Sequence, residues 1–264
     1  SSLAVALMNS GDAPGAGRNF ALALERAPNA AFTNANLGRF HADHNDPDAA
    51  EPLLRRALNI DPDFHEALTD LGALMNATYR AEEALPLLEK ARALRPDSIK
   101  ARSEHATALG LAGRMEQAHN EFLAIVKDDP DDYKAHNNLG LILSRMDRFD
   151  EAVHAYNEAL KGNPEYAPAF SNRSLLRLAQ GDFSGGWEDY LYRDTLGERA
   201  GMFHRDVLPA NLSGMRIALY RDQGLGDEIF FLRFARQLKE RGARITYNPD
   251  PKIADMIERL DFID

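Results

Sequence analysis

One row of side chains in this sequence recurs every 34 residues and offers hydrogen-bonding chemistry at each stop: Asn36, Asp70, Glu104, Asn138 and Asn172, with Thr69, Ser103, Asn137 and Ser171 one place earlier. An amide carries two donors and an acceptor, so asparagine can pair with both the N–H and the C=O of a peptide unit whatever side chain that unit bears. Asp70 and Glu104 interrupt the row with acceptors, which favours donors or basic groups opposite them. The plainer alternative is that the row faces water. A second candidate lies in residues 222–227 (DQGLGD), where Gln223, Gly224 and Gly226 fall between a β-rich run and an amphipathic stretch. Glycines let a ligand approach the backbone, and a helix start behind the loop offers N–H groups to an anion or a sugar. As a dinucleotide fingerprint the loop is incomplete, because Ile229 stands at the third glycine position and no acid ends the following strand. The eight histidines are scattered, and His41 and His44, near Asp43 and Asp46, read as solvent-exposed rather than as a metal pair.

What must position these residues is a repeated unit. Pro28, Pro62, Pro96, Pro130 and Pro164 are 34 residues apart, and a strict period of that length means a solenoid of one supersecondary element. With the proline at position 32, complete repeats span 31–64, 65–98, 99–132 and 133–166, after a partial repeat over 1–30 and before a divergent one over 167–194. Position 8 reads Ala4, Gly38, Gly72, Ala106, Gly140 and Ser174, and position 20 reads Ala16, Ala50, Ala84, Ala118, Ala152 and Gly186. Such columns mark where two helices of a hairpin approach closely. Position 24 supplies the filler, Phe20, Leu54, Leu88, Phe122, Tyr156 and Tyr190, and the proline ends the second helix.

These columns, with the pairs Leu37-Gly38, Leu71-Gly72 and Leu139-Gly140, resemble the tetratricopeptide repeat family over residues 1–194. The resemblance implies a right-handed superhelix whose first helices line a concave groove, with positions 2, 5, 6, 9, 12 and 13 facing it. The polar row then looks like the asparagine ladder of O-GlcNAc transferases, which holds an extended acceptor polypeptide. On that reading Asn36, Asp70, Glu104, Asn137, Asn138 and Asn172 are peptide-binding residues. The alternative groove chemistry, the carboxylate clamp of chaperone-binding repeats, has Lys100 and Lys134 at position 2 but not its full set.

Composition narrows the partners. The chain has 264 residues, more than one ordinary domain, and a net charge of −10 that belongs wholly to residues 1–194, since residues 195–264 carry as many basic as acidic groups. An acidic surface repels phosphate backbones, which argues against nucleic acid, and acidic helix faces also simply keep a protein in solution. The absence of cysteine excludes disulfides, thiolate catalysis and the common structural zinc sites. The opening SSLAVALMNS is too short for a signal core or a membrane span, so cytoplasmic residence is the expectation. Because residue 1 is not Met, a longer natural array is expected too.

The divergent repeat loses the proline, and Trp187, with Tyr190 and Tyr192 nearby, reads as a plug between the solenoid and whatever docks on it. Residues 195–213 read as a linker. Then come a strand over 216–220 (RIALY), the glycine loop, a helix over 228–240, a strand over 243–247 (ARITY) and a helix over 251–260, the β-α-β-α opening of a Rossmann-like domain over 214–264. The elements Gly181-Asp182-Phe183, Gly186-Trp187, Tyr190, residues 223–227, Phe231 and Arg233 are similar to bacterial proteins in which tetratricopeptide repeats precede a GT-B glycosyltransferase, with Asp222 in place of their glutamate.

The loop also resembles that of heptosyltransferases, which makes Asp227 the implied general base accepting the proton of the attacking hydroxyl. Asp at a helix start is equally a cap. The resemblance implies a nucleotide-sugar donor for the parent protein, bound mainly in a second Rossmann domain, so this chain is expected to hold no cofactor and to be inactive alone. The fold expected is mainly α, a repeat superhelix followed by a partial Rossmann-like segment. The functions expected are recruitment of an acceptor polypeptide for a glycosyltransferase or, alternatively, a non-catalytic scaffold whose C-terminal segment is a cap, with a small nucleotide-binding protein as a third reading. Self-association through the open sheet edge is a further possibility.

Overall fold

The computed structural model describes residues 2–192, 208–220, 225–249 and 251–263. They fall in two units, residues 1–193 and 194–264. The first consists of six helical hairpins: α1 (Ser2–Asn9) with α2 (Ala13–Arg26), α3 (Ala31–Asp43) with α4 (Pro47–Ile60), α5 (His65–Ala77) with α6 (Ala81–Leu94), α7 (Ile99–Leu111) with α8 (Met115–Asp128), α9 (Tyr133–Arg145) with α10 (Phe149–Gly162), and α11 (Ala167–Ala179) with α12 (Phe183–Tyr190). No strand occurs among its described residues.

The boundaries follow from backbone chemistry. Helices α2, α4, α6, α8 and α10 each stop two residues before a repeat proline. The residue between, Ala27, Asp61, Arg95, Asp129 or Asn163, has left helical ψ for values of 69 to 99°, because a following proline ring excludes the helical conformation. Inside each hairpin the turn is closed by a residue with positive φ at position 15: Gly11, Asn45, Tyr79, Gly113, Asp147 and Gly181. In each turn the next amide bonds the carbonyl five residues back, as in Asp46 N to His41 O at 2.9 Å and Arg80 N to Met75 O at 2.8 Å, which satisfies carbonyls the helix end would leave open. The second helix then starts at position 17, with position 16 as its N-cap. Asp12, Asp46 and Asp182 cap it by accepting from the N–H three residues on.

Arg80, Arg114 and Arg148 hold the same place without capping and form ion pairs instead. Arg80 reaches Glu51 of the preceding repeat at 2.6 Å, and its guanidinium, with that of Arg55, holds the Glu51 carboxyl below its usual range. Arg114 reaches Glu82 at 3.2 Å.

Packing is dominated by the small columns. Ala16, Ala50, Ala84, Ala118 and Ala152 are fully buried, as are Phe20, Leu54, Leu88 and Phe122, with Tyr156 nearly so. One apolar cluster runs unbroken from Ala50 to Leu176, whereas Ala4, Ala16, Phe20 and Leu37 form a separate smaller one around α1 and α2. The first helix of a repeat touches the first helix of the next along α3, α5, α7, α9 and α11, so these helices form the tight side of the stack. In the last hairpin, Asp189, almost wholly buried, accepts from Arg173 at 2.5 Å and from Arg177 at 2.9 Å, and the Trp187 ring stands edge-on to Tyr190 at 5.2 Å.

The second unit contains β1 (Arg216–Tyr220), α13 (Leu225–Glu240), β2 (Arg244–Asn248) and α14 (Ala254–Ile257). The strands pair in parallel with Arg216 opposite Arg244 and Ile217 opposite Ile245. Leu212, Ala235, Ala243 and Ile245 form its core, and Arg241 donates to the carbonyls of Leu208, Pro209 and Ala210. Three boundaries differ from the sequence reading. Helix α13 starts three residues earlier, at Leu225, because the first-turn amides need no intrahelical partner and so tolerate Gly226. β2 is shifted by one residue. The helix expected over 251–260 keeps one turn, α14, since only Ile253 and Ile257 of that stretch are buried and so short a helix cannot offset its nucleation cost.

Candidate functional site: the inner wall of the helical array

The polar row lies on α3, α5, α7, α9 and α11, the helices of the tight side, and its members are more engaged with the protein than a solvated row would be. Asn36 is largely buried; its Nδ2 donates to the Phe32 carbonyl at 2.7 Å and its Oδ1 accepts from Arg39 at 3.3 Å. Each amide end thus keeps one further N–H or lone pair. Asp70, also buried, accepts from Lys100 Nζ of the next repeat at 2.5 Å. The side chain of Glu104 and its own carbonyl both accept from Asn76 Nδ2, at 3.0 and 2.9 Å, and burial pushes the Glu104 carboxyl above its usual range. Lys100 and Asn76 therefore already meet the demand for donors that Asp70 and Glu104 create.

The C-terminal part of the row is linked differently. Asn172 Nδ2 donates to Asn137 Oδ1 at 3.0 Å, and Asn137 Nδ2 donates to Asn138 Oδ1 at 3.3 Å. The relay crosses from α11 to α9 and ends in Asn138 Nδ2 as a donor and Asn172 Oδ1 as an acceptor, neither with a partner among the described residues. Lys134, the second lysine of the clamp alternative, stands beside the Tyr133 ring at 5.9 Å.

Residues that the row did not indicate complete the wall. Between α7 and α9 lies a small apolar notch lined by Gly110, Leu111, Leu141 and Ile142, with Asn138 and Arg145 at its edges. A Cβ on Gly110 would stand 2.5 Å from Ile142 Cδ1, so a larger residue there would displace the end of that side chain into the notch. Arg145 stands at position 13, one of the groove-facing positions, but its column, Asp43, Ala77, Leu111 and Ala179, shares no chemistry with it.

The other candidates stand apart from this wall. Gln223 and Gly224 lie outside the described residues; Gly226 and Asp227 fall in the first turn of α13, and the Asp227 side chain is likewise outside what is described. His41 bonds Asp46 at 3.1 Å, while His44 bonds the Phe40 carbonyl at 2.7 Å and packs on its ring. Among the described residues no three metal-ligating side chains converge, and no helix is long and apolar enough to cross a membrane.

Three family models, each described as a tetratricopeptide repeat, match residues 35–99, 75–139 and 133–166, together half of the chain. None of the three reaches residues 167–264. Among solved structures, a tetratricopeptide repeat protein from Parabacteroides merdae ATCC 43184 is 17% identical with a TM-score of 0.65, covering 74% of this chain and 77% of that one. PilW, a widely conserved type IV pilus biogenesis factor, is 18% identical with a TM-score of 0.64, covering 76% and 94%. MamA from Desulfovibrio magneticus RS-1 is 19% identical with a TM-score of 0.50, covering 61% and 90%. At such identities the likeness concerns the fold. Comparison with curated proteins gave no match.

Proposed function

We propose, from the premise that this chain belongs to the tetratricopeptide repeat family and is a protein–protein interaction module, that its inner wall grips the backbone of an extended acceptor polypeptide. The amide relay from Asn172 through Asn137 to Asn138 carries the reading. An extended chain presents a C=O and an N–H per residue, and the relay ends in one donor and one acceptor, so it can take both without reference to side chains. Asn36 extends the same capacity to the N-terminal end. The test is replacement of Asn36, Asn138 and Asn172 together by alanine. Binding of captured acceptor polypeptide should weaken severalfold while helicity is unchanged, and binding equal to wild type would mean the row serves only the fold.

The attachment of this module to glycosyl transfer is a finer part of the proposal. It is supported by the Gly181-Asp182-Phe183, Gly186-Trp187 and 223–227 elements and by the β-α-β order with parallel strands, which a Rossmann-like half-domain shares. The nucleotide-sugar donor and the role of Asp227 rest on that resemblance alone.

A further inference from the structure

The charge of this acidic molecule is layered. Helices α9 and α11 carry Lys134, Arg145, Arg173 and Arg177 and no acidic side chain, whereas their outer partners α10 and α12 carry five acids against Lys161 alone. Arg173 and Arg177 are committed to Asp189. Lys134 and Arg145 are exposed and have no ion pair among the described residues. Among the described residues Arg39 on α3 is likewise without an ion pair, but only the stretch with Lys134 and Arg145 joins unpaired cations to both the amide relay and the apolar notch. Arg145 is held over that notch: its Nη1 lies 3.5 Å from the Gly110 carbonyl oxygen, and Leu141, one turn back on the same helix, is exposed beside it.

Resting on the reading of this wall as the polypeptide-binding surface, we infer that α7 and α9 select an internal acidic segment, seating an aliphatic side chain in the notch and a carboxylate on Arg145. The notch is small and lined by Leu111, Leu141 and Ile142, which suits a branched aliphatic group. In an extended chain alternate side chains share a face about 7 Å apart, so the acid stands two places from the aliphatic residue. A chain terminus is not what this arrangement fits, because polar wall continues on both sides of Asn138, to Glu104 and to Asn172. The acidic outer helices, and Asp70 and Glu104 further along the inner wall, repel the same segment, so attraction is confined to the stretch around α9.

The test uses three labelled peptides on a serine-threonine background, with Leu-Ser-Glu, Leu-Ser-Lys or Ser-Ser-Glu at the centre, in fluorescence anisotropy with the whole chain. Leu-Ser-Glu should bind about tenfold or more tightly than either other, Arg145→Gln should remove the preference over Leu-Ser-Lys, and Arg145→Glu should reverse it. Because Arg145 is exposed, circular dichroism of these variants should match wild type. Equal binding of Leu-Ser-Glu and Leu-Ser-Lys, with both weakened by the asparagine changes, would overturn the acidic preference and leave the groove reading standing. Binding of no peptide, or binding indifferent to both Arg145 and the asparagines, would remove the groove reading and this inference together. A shift in oligomeric state on Arg145→Glu would identify the occupant as a second copy of the chain and overturn the inference.

Discussion

Leu88 occupies the space that a side chain on Gly72 would need: a Cβ at Gly72 would stand 2.5 Å from Leu88 Cγ and 2.6 Å from its Cδ2. The same relation links Gly38 to Leu54 at 2.8 Å and Gly140 to Tyr156 at 2.6 Å, always position 8 with position 24 of one repeat. Gly72→Ala should therefore destabilise by about 1–3 kcal/mol, and Leu88→Ala by about 2–5 kcal/mol. The two changes together should cost less than their sum, since each relieves the other. Chemical denaturation of the three variants measures this, and strict additivity would refute the contact.

Tyr79 closes its hairpin turn with φ of +59° and is 85% exposed. A left-handed backbone costs a residue with a Cβ about 1–2 kcal/mol, a cost that Gly11, Gly113 and Gly181 avoid at the equivalent place. Tyr79→Gly should raise stability by about 1 kcal/mol after the extra entropy of glycine in the unfolded chain is counted, and Asn45→Gly should change little, because asparagine tolerates this region. A lower thermal midpoint for Tyr79→Gly would show that the ring contributes contacts of its own.

His65 is buried at the start of α5, and neither ring nitrogen has a hydrogen-bond partner among the described residues. Burial first, and Arg95 second, hold its pKa below the ordinary 6.5, with Glu66, Asp97 and Asp70 opposing. The unfolded chain therefore binds the proton more readily, so the contribution of His65 is complete above pH 6.5 and is lost as pH falls through the depressed value. Glu104 acts in the opposite sense: its raised pKa favours the folded state at low pH, an effect lost as pH climbs above 4.5. Between pH 4.5 and 6.5 the slope of the denaturation midpoint against pH should be less positive than wild type in His65→Leu and more positive in Glu104→Gln. An unchanged slope in His65→Leu would mean that its site admits water.

Asp227→Asn separates two roles in the proposed glycosyl transfer. The amide keeps an oxygen that can cap a helix but loses the ability to take a proton. In a version extended through a complete second Rossmann domain the change should abolish turnover of nucleotide-sugar and leave acceptor binding intact. Retained turnover would make Asp227 a cap.

The hairpins were legible because the close approach of two helices imposes small residues at fixed places, and a 34-residue period repeats that demand until Gly38, Gly72 and Gly140 stand out. The turn at position 15 was also written, in Gly11, Gly113 and Gly181, but Tyr79 at the same place conceals it. Pairs such as Arg80 with Glu51 and Lys100 with Asp70 were not legible, since long side chains choose partners by distance across a repeat junction and not by column. For the same reason the asparagine row could be seen while its internal bonds, and the reach of Arg145 to the Gly110 carbonyl, could not.

The division of the apolar interior has a kinetic meaning. One large cluster spans Ala50 to Leu176, beside smaller ones around Ala57 and Leu68, while α1 and α2 rest on a separate small one around Phe20 and Leu37. In a linear stack each hairpin is held by its neighbours, so the hairpin with the poorest coupling opens first and most often. Amide protons of α2 should then exchange with solvent through local opening, well before those of α6 to α9, and a protease should trim the array from the N-terminal side. The relay and the notch sit at the slow end of that gradient, where the backbone is already ordered when a partner arrives, so capture there incurs little further loss of chain entropy.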